Sequence, residues 1–107
     1  MDNKQRLLNM FGLSMRAGKL KWGFDAVSSA IKSGEAEGLF VCVDISDKTF
    51  SNLAFEAERK GIGAVRINVP HEELSFAIGK RAGVFAVCDK GFSAKLTELA
   101  GQLNNEE

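Results

Sequence analysis

The run from Gly38 to Asp44, GLFVCVD, constrains this chain more than any other segment, because it is apolar without interruption and of strand length. A strand with one wet face alternates apolar and polar residues, so an unbroken run predicts a strand buried on both faces, which helices must cover. The neighbouring segments supply them. Leu7, Leu8, Phe11 and Met15 form an apolar face over residues 3–17, and Gly18 ends that helix. Lys19 to Trp22 is predicted short and extended. Gly23 opens a second helix, with Val27, Ala30 and Ile31 inward at i, i+3 and i+4, and Gly34 closes it. A third helix runs from Asp47 to Lys60, capped by Ser46 or Asp47, with Phe50, Leu53, Ala54 and Ala57 on one face, and Gly61 stops it. Ala64 to Val69 reads as the third strand, ended by Pro70, which lacks a ladder N–H. His71 or its neighbour begins a short fourth helix with Leu74, Ala77 and Ile78 inward, ending at Gly79. Val84 to Cys88 is the fourth strand, Phe92 to Leu103 the last helix, and Asn104 to Glu107 should fray.

The resulting alternation, helix first and helix last, predicts an α/β chain of three layers, α/β/α, with a small central sheet. At 107 residues and 45% hydrophobic content, residues 1–107 read as a single domain without repeats or linkers. No stretch approaches the roughly 18 consecutive apolar residues of a membrane span, and the N-terminal amphipathic helix lacks a signal-peptide cleavage pattern, so a soluble, cytoplasmic protein is expected. Cys42 and Cys88 lie in apolar runs and read as reduced core cysteines. The net charge is zero, yet residues 1–33 carry six basic residues against two acidic, and the remainder eight basic against twelve acidic. One basic end can orient a polyanion.

Chemistry for catalysis is sparse. His71 is the only histidine, beside Pro70, Glu72 and Glu73 at a helix start, and no Ser or Cys nucleophile with a second base can be placed beside it. Asp44 at one strand end, with Asp89 and Lys90 at another, could suggest a Mg²⁺ site for phosphoryl transfer, though helix capping or turn roles are simpler. Neither a GxGxxG nor a GxxxxGK[ST] loop is present. No catalytic residue, metal or cofactor is therefore predicted.

The basic connection RAGKLKWG is more suggestive. Lys19 and Lys21 alternate with Leu20 and Trp22, so a short strand there has a cationic and an apolar face. The lysines can guard an edge strand against aggregation, or they can bind phosphate beside the start of the second helix, where main-chain N–H groups converge. Trp22 can pack or serve as a base-stacking platform. A second basic turn, GKRAGV from Gly79 to Val84, places Lys80 and Arg81 between glycines at a strand entrance.

RAGKL followed by WGFDAV, AIKSG, EELSFAIGK and DKGF, in that order over about residues 5–100, resembles the ribosomal kink-turn RNA-binding family named for its L-seven-Ae and L-thirty-e members, and within it the bacterial YlxQ-type branch. The resemblance implies a four-stranded mixed sheet in the order 1-4-2-3 with strand 4 antiparallel. The exit of strand 1 then lies beside the entrance of strand 4, Lys19 to Ser29 share one rim with Gly79 to Val84, and Asp89 falls at the opposite end of the sheet from Asp44. It further implies binding of sharply bent RNA at that rim. The first turn of the second helix enters a groove at sheared G·A pairs, and the later loop covers an extruded base; kinks and bulges expose base edges that regular A-form helices hide.

On that resemblance Lys19, Lys21 and Lys32 contact phosphates, Gly23 and Phe24 allow close main-chain approach, and Lys80, Arg81, Ala82, Gly83 and Val84 form a second wall. The family pattern continues from its glycine through a variable residue to Asn-Glu and then Lys. Here Gly23 matches, but Asp25, Ala26 and Ser29 occupy the three reading positions. Asp25 can accept hydrogen bonds from guanine, or it can simply favour the helix dipole in the first turn. The expected protein is a non-enzymatic binder of structured RNA, ribosomal RNA foremost, itself ribosomal or ribosome-associated with the ribosome as a partner, and monomeric when free. The alternative is a protein-interaction module on the same fold that has lost its RNA.

Overall fold

Gly38, Leu39, Phe40, Val41 and Cys42 are all buried in the computed structural model, which describes residues 2–106. They form β2 (Gly38–Cys42), flanked by β4 (Val84–Val87) and β3 (Gly63–Ile67), with β1 (Leu20–Trp22) outside β4. The order β1-β4-β2-β3, with β4 antiparallel to β1 and β2 and β3 parallel to β2, is the expected one. The described residues also form five helices: α1 (Asn3–Arg16), α2 (Phe24–Ser33), α3 (Asp47–Arg59), α4 (His71–Ile78) and α5 (Lys90–Asn104).

The alternation of side chains along each strand sends them to two cores. Phe40, Phe85, Leu20 and Val87 meet Leu7 and Phe11 of α1, Leu74 and Ile78 of α4, and Leu96, Leu99 and Leu103 of α5. Phe11 sets its ring edge-on to Phe40 and tilted against Phe85, with centroids 5.8 and 5.5 Å away. Leu39, Val41, Val84 and Ala86 meet Val27, Ala30 and Ile31 of α2 and Leu53 and Ala57 of α3. Each fully buried large side chain contributes roughly 1.5–3 kcal/mol, so both cores hold helices firmly to the sheet.

Boundaries differ from expectation where side chains intervene. β3 spans Gly63–Ile67 rather than Ala64 to Val69, because Asn68 N–H is taken by Asn104 Oδ1 (3.0 Å) and the Asn104 amide donates to Arg66 O (2.8 Å). The same two bonds hold Asn104 in place, so fraying does not begin there; Glu107 lies outside the described residues. α5 starts at Lys90 rather than Phe92, since Asp89 caps it by accepting from Phe92 N–H at 2.8 Å. α3 takes Ser46 as its cap. Gly38 is needed for close approach rather than for its backbone angle, since a Cβ there would sit 2.3 Å from Ser93 Oγ of α5. Both cysteines are free, but only Cys42 is fully buried; Cys88 is half-buried at the end of β4. No helix among the described residues is long and apolar enough to cross a membrane.

Candidate nucleic-acid interface

The basic connection and the second basic turn meet because β1 and β4 run antiparallel, pairing Trp22 with Phe85. Gly23 N–H donates to Val84 O at 3.2 Å, and the Lys80 ammonium lies 5.7 Å from the centre of the Trp22 ring. Trp22 thus packs one side against the larger core and receives a cation on its indole. Gly23 takes φ +88° and ψ 152°, a region closed to side-chain-bearing residues, and turns the chain from β1 into α2. No side chain caps α2, in contrast to α1, α3 and α5, capped by Asp2, Ser46 and Asp89. Its first-turn N–H groups are thereby left for solvent or a ligand.

From that start one exposed helical stripe runs down α2, with Asp25, Ser29 and Lys32 at i, i+4 and i+7. Phe24 is half-exposed beside it. Across the rim, Lys80 and Arg81 are exposed, while Ala82 and Val84 are buried and Gly83 is half-buried, so the last three can offer only main chain. Gly83 cannot carry a side chain here: a Cβ would fall 2.3 Å from Ile45 Cδ1 and 3.1 Å from His71 Cβ.

Lys19 does not share this rim. Its carbonyl accepts from Cys88 N–H at 2.8 Å, at the end of β4, about 13 Å along the chain from Gly23. Lys21 lies between, on the α2 face of the sheet, with its ammonium 4.0 Å from the Glu35 carboxylate. Lys32, eight positions along α2 from Phe24, sits roughly 12 Å from the helix start. The structure therefore brings Lys80 to Trp22 beside Gly23 and Phe24, sets Asp25, Ser29 and Lys32 along one face of α2, and leaves Arg81 exposed in the loop beside α4.

Sequence alone did not show how the loop after α4 is held. Ser75 Oγ accepts from Ala82 N–H and donates to Ala82 O, both at 2.9 Å, pinning the turn that carries Lys80 and Arg81. Asp44 is likewise committed to the scaffold: its two carboxylate oxygens meet His71 N–H at 2.9 Å and His71 Nδ1 at 2.7 Å, supplying α4 with the cap that Pro70 cannot. Burial pushes the Asp44 carboxyl upward, but the bonds from His71 outweigh it and hold it below the ordinary carboxylate range. Asp89 caps α5 at the other end of the sheet, and no group of three or more His, Cys, Asp or Glu among the described residues could hold a metal ion. Burial pushes the Cys42 thiol up to about 12, and burial with the Glu35 carboxylate pushes Cys88 up to about 11, so neither is a ready thiolate.

Over 97 residues the chain is 32% identical to the RNA-binding protein YlxQ of Enterococcus faecium, covering 91% of this chain and 93% of that one. A Bacillus halodurans protein of unknown function superposes with a TM-score of 0.83 at 29% identity, over 89% of this chain and 96% of its own. The Giardia lamblia 15.5kD RNA binding protein shares the fold, with a TM-score of 0.72 at 19% identity over 97% of this chain and 89% of its own. No family model matches the chain.

Proposed function

Because the chain belongs to the family of the RNA-binding protein YlxQ, we propose that it binds structured RNA, and that it does so at the rim where β1 passes into α2 and the loop after α4 enters β4. The observation that carries this reading is the Gly23 to Val84 hydrogen bond, which fastens an uncapped helix start to the end of the basic loop whose Lys80 lies over Trp22. Main-chain donors and the Lys80 ammonium then meet on one edge, with Arg81 next to it in the loop, the arrangement that phosphates favour. The preferred RNA is bent or bulged, of kink-turn type, and ribosomal or ribosome-bound. Phosphate contacts by Lys80, Arg81, Lys21 and Lys32 position it, and the first turn of α2 enters its groove. Asp25, Ala26 and Ser29 offer few donors to base edges, so affinity rests on phosphate contacts and sequence preference is broad. The domain works without catalysis or cofactor, as a monomer in the cytoplasm.

Binding to a kink-turn RNA and to its G·A-disrupted control, by fluorescence anisotropy across a salt series, tests this. Tighter binding to the kink-turn is expected, with loss on Lys80→Glu, Arg81→Glu and an unchanged circular dichroism spectrum. Equal, weak binding to both at moderate salt overturns the kink-turn preference. A protein-docking module is the second reading, favoured by Phe55, 59% exposed, which faces Phe24 across a shallow groove also lined by Lys32 and Asn52. Absence of binding to any structured RNA, with in-cell crosslinking that recovers protein alone, decides for it.

A further inference from the structure

Lys4, Leu8 and Gly12 follow one another at four-residue spacing on α1 and face α4. At Gly12 the two helices are close, since a Cβ there would lie 3.6 Å from Ala77 O. One turn earlier they leave a hollow of about 440 Å³ lined by Leu8, Pro70, Glu72, Glu73 and Phe76. Its walls are fixed: Leu74 and Ile78 bury α4 in the larger core, Leu8 packs against that core, and the Lys4 ammonium holds the Glu73 carboxylate at 2.9 Å.

Phe76 is the anomaly on this face. It is 91% exposed, more than any other large apolar side chain among the described residues. Nothing in the fold needs an aromatic ring there, because Leu74 and Ile78 already anchor α4. A bare ring keeps a hydrophobic stabilisation that only a partner can realise, and beside Leu8 and Pro70 it forms a patch rather than a lone exposed residue.

Charge says what kind of partner fits. Glu72 is exposed, and its carboxylate has no ion-pair or hydrogen-bond partner among the described residues, while Glu73 is matched by Lys4 alone. Acids in the first turn of α4 also suit the helix dipole, but that accounts for no aromatic ring one turn further on. The loop cations Lys80 and Arg81 do not line this hollow. An apolar floor with a carboxylate rim repels phosphate and attracts a lysine or arginine side chain, so it fits polypeptide rather than RNA.

We infer that the hollow between α1 and α4 docks a basic segment of a partner protein: an apolar side chain of that segment enters between Leu8, Pro70 and Phe76, and a neighbouring lysine or arginine pairs with Glu72. This surface goes beyond the RNA reading and does not rest on it. Neither Trp22, Gly23 nor Lys80 lines it, so RNA at the rim and a polypeptide here occupy separate faces.

The test titrates the isotope-labelled chain, followed by NMR, with three synthetic peptides on a Gly-Ser backbone. One carries lysines and two leucines, one has glutamates in place of the lysines, and one has serines in place of the leucines. The Lys-Leu peptide should bind saturably and shift the amides of Leu8, Glu72 and Phe76 while leaving those of Gly23 and Lys80 in place. Both controls should bind at least about fivefold more weakly. Phe76→Ala should weaken the Lys-Leu peptide about tenfold, the scale of burying one aromatic side chain. Glu72→Gln should weaken it about two- to fivefold near 0.05 M salt, with the difference vanishing at high salt, a response that a merely structural role would not give. Unchanged peptide affinity in Phe76→Ala, or equal affinity for the Lys-Leu peptide and either control, overturns the inference. Loss of kink-turn RNA affinity in Phe76→Ala also overturns it, by giving this face to RNA. Specific Lys-Leu binding in a chain that binds no RNA supports this inference and overturns the RNA reading alone.

Discussion

Single residues hold this fold where atoms have no room to spare. Gly38 is the sharpest case, since β2 and α5 approach so closely that a Cβ would overlap Ser93 Oγ at 2.3 Å and press on Phe40 Cε2 at 3.0 Å. Gly38→Ala should destabilise the domain by about 1–3 kcal/mol, read from the midpoint of urea unfolding. The cost should be smaller in a Ser93→Ala background, where the remaining Cβ contact is 3.4 Å; equal costs in both backgrounds would falsify the steric explanation. This glycine was legible in the sequence only as the start of an apolar run. Nothing in the run announces a serine of α5 above it, because the two are brought together by helix packing and not by spacing. His71 shows the same limit, since a histidine after a proline reads as a helix start while its tie to Asp44 spans 27 positions.

At the scale of elements, the strands and helices followed closely from hydrophobic periodicity and glycine stops, with errors of a few residues at ends. Those errors have causes in side chains from elsewhere. β3 is an edge strand whose outer groups would invite pairing with another chain, and Asn104 of α5 covers its Arg66 carbonyl and the Asn68 N–H just beyond it. Asn104→Ala should cost about 1–2 kcal/mol from two lost hydrogen bonds. Hydrogen exchange at the Asn68 amide should accelerate more than at amides of β2, and uniform acceleration across the sheet would instead mean a global effect. The start of α2 is the complementary case. Gly23 was read as a helix opener from sequence, and its φ of +88° gives the reason a glycine stands there. That α2 lacks the side-chain cap its neighbours have could also be suspected from sequence, because glycine cannot supply one.

Over the whole molecule, charge is arranged by topology. The sequence places a basic excess in residues 1–33, but folding redistributes charge: Lys80 of the second basic turn comes to Trp22 beside Gly23, Lys21 turns to Glu35, and Lys19 goes to the far end of β1. The two ends of β1 should therefore respond differently to charge reversal. Lys80→Glu should weaken RNA binding severalfold and lower the log–log salt slope, since each phosphate contact carries roughly 0.7–0.9 of slope. Lys19→Glu should change affinity no more than about twofold near 0.15 M salt, where the screening length of about 8 Å is shorter than its offset from the rim. Equal losses from both would place the bound RNA along the whole of β1. The sequence by itself determined the elements and their layering, because periodicity, apolar runs and glycine stops are local properties of a chain that must bury one face of each helix. Its family resemblance named the sheet order that the structure then displayed. Only the tertiary structure decided which basic residue reaches the rim, how Ser75 holds the loop and how Asp44 ties His71. Those depend on which strand ends the antiparallel sheet brings together, and no residue's own neighbours in the chain encode that.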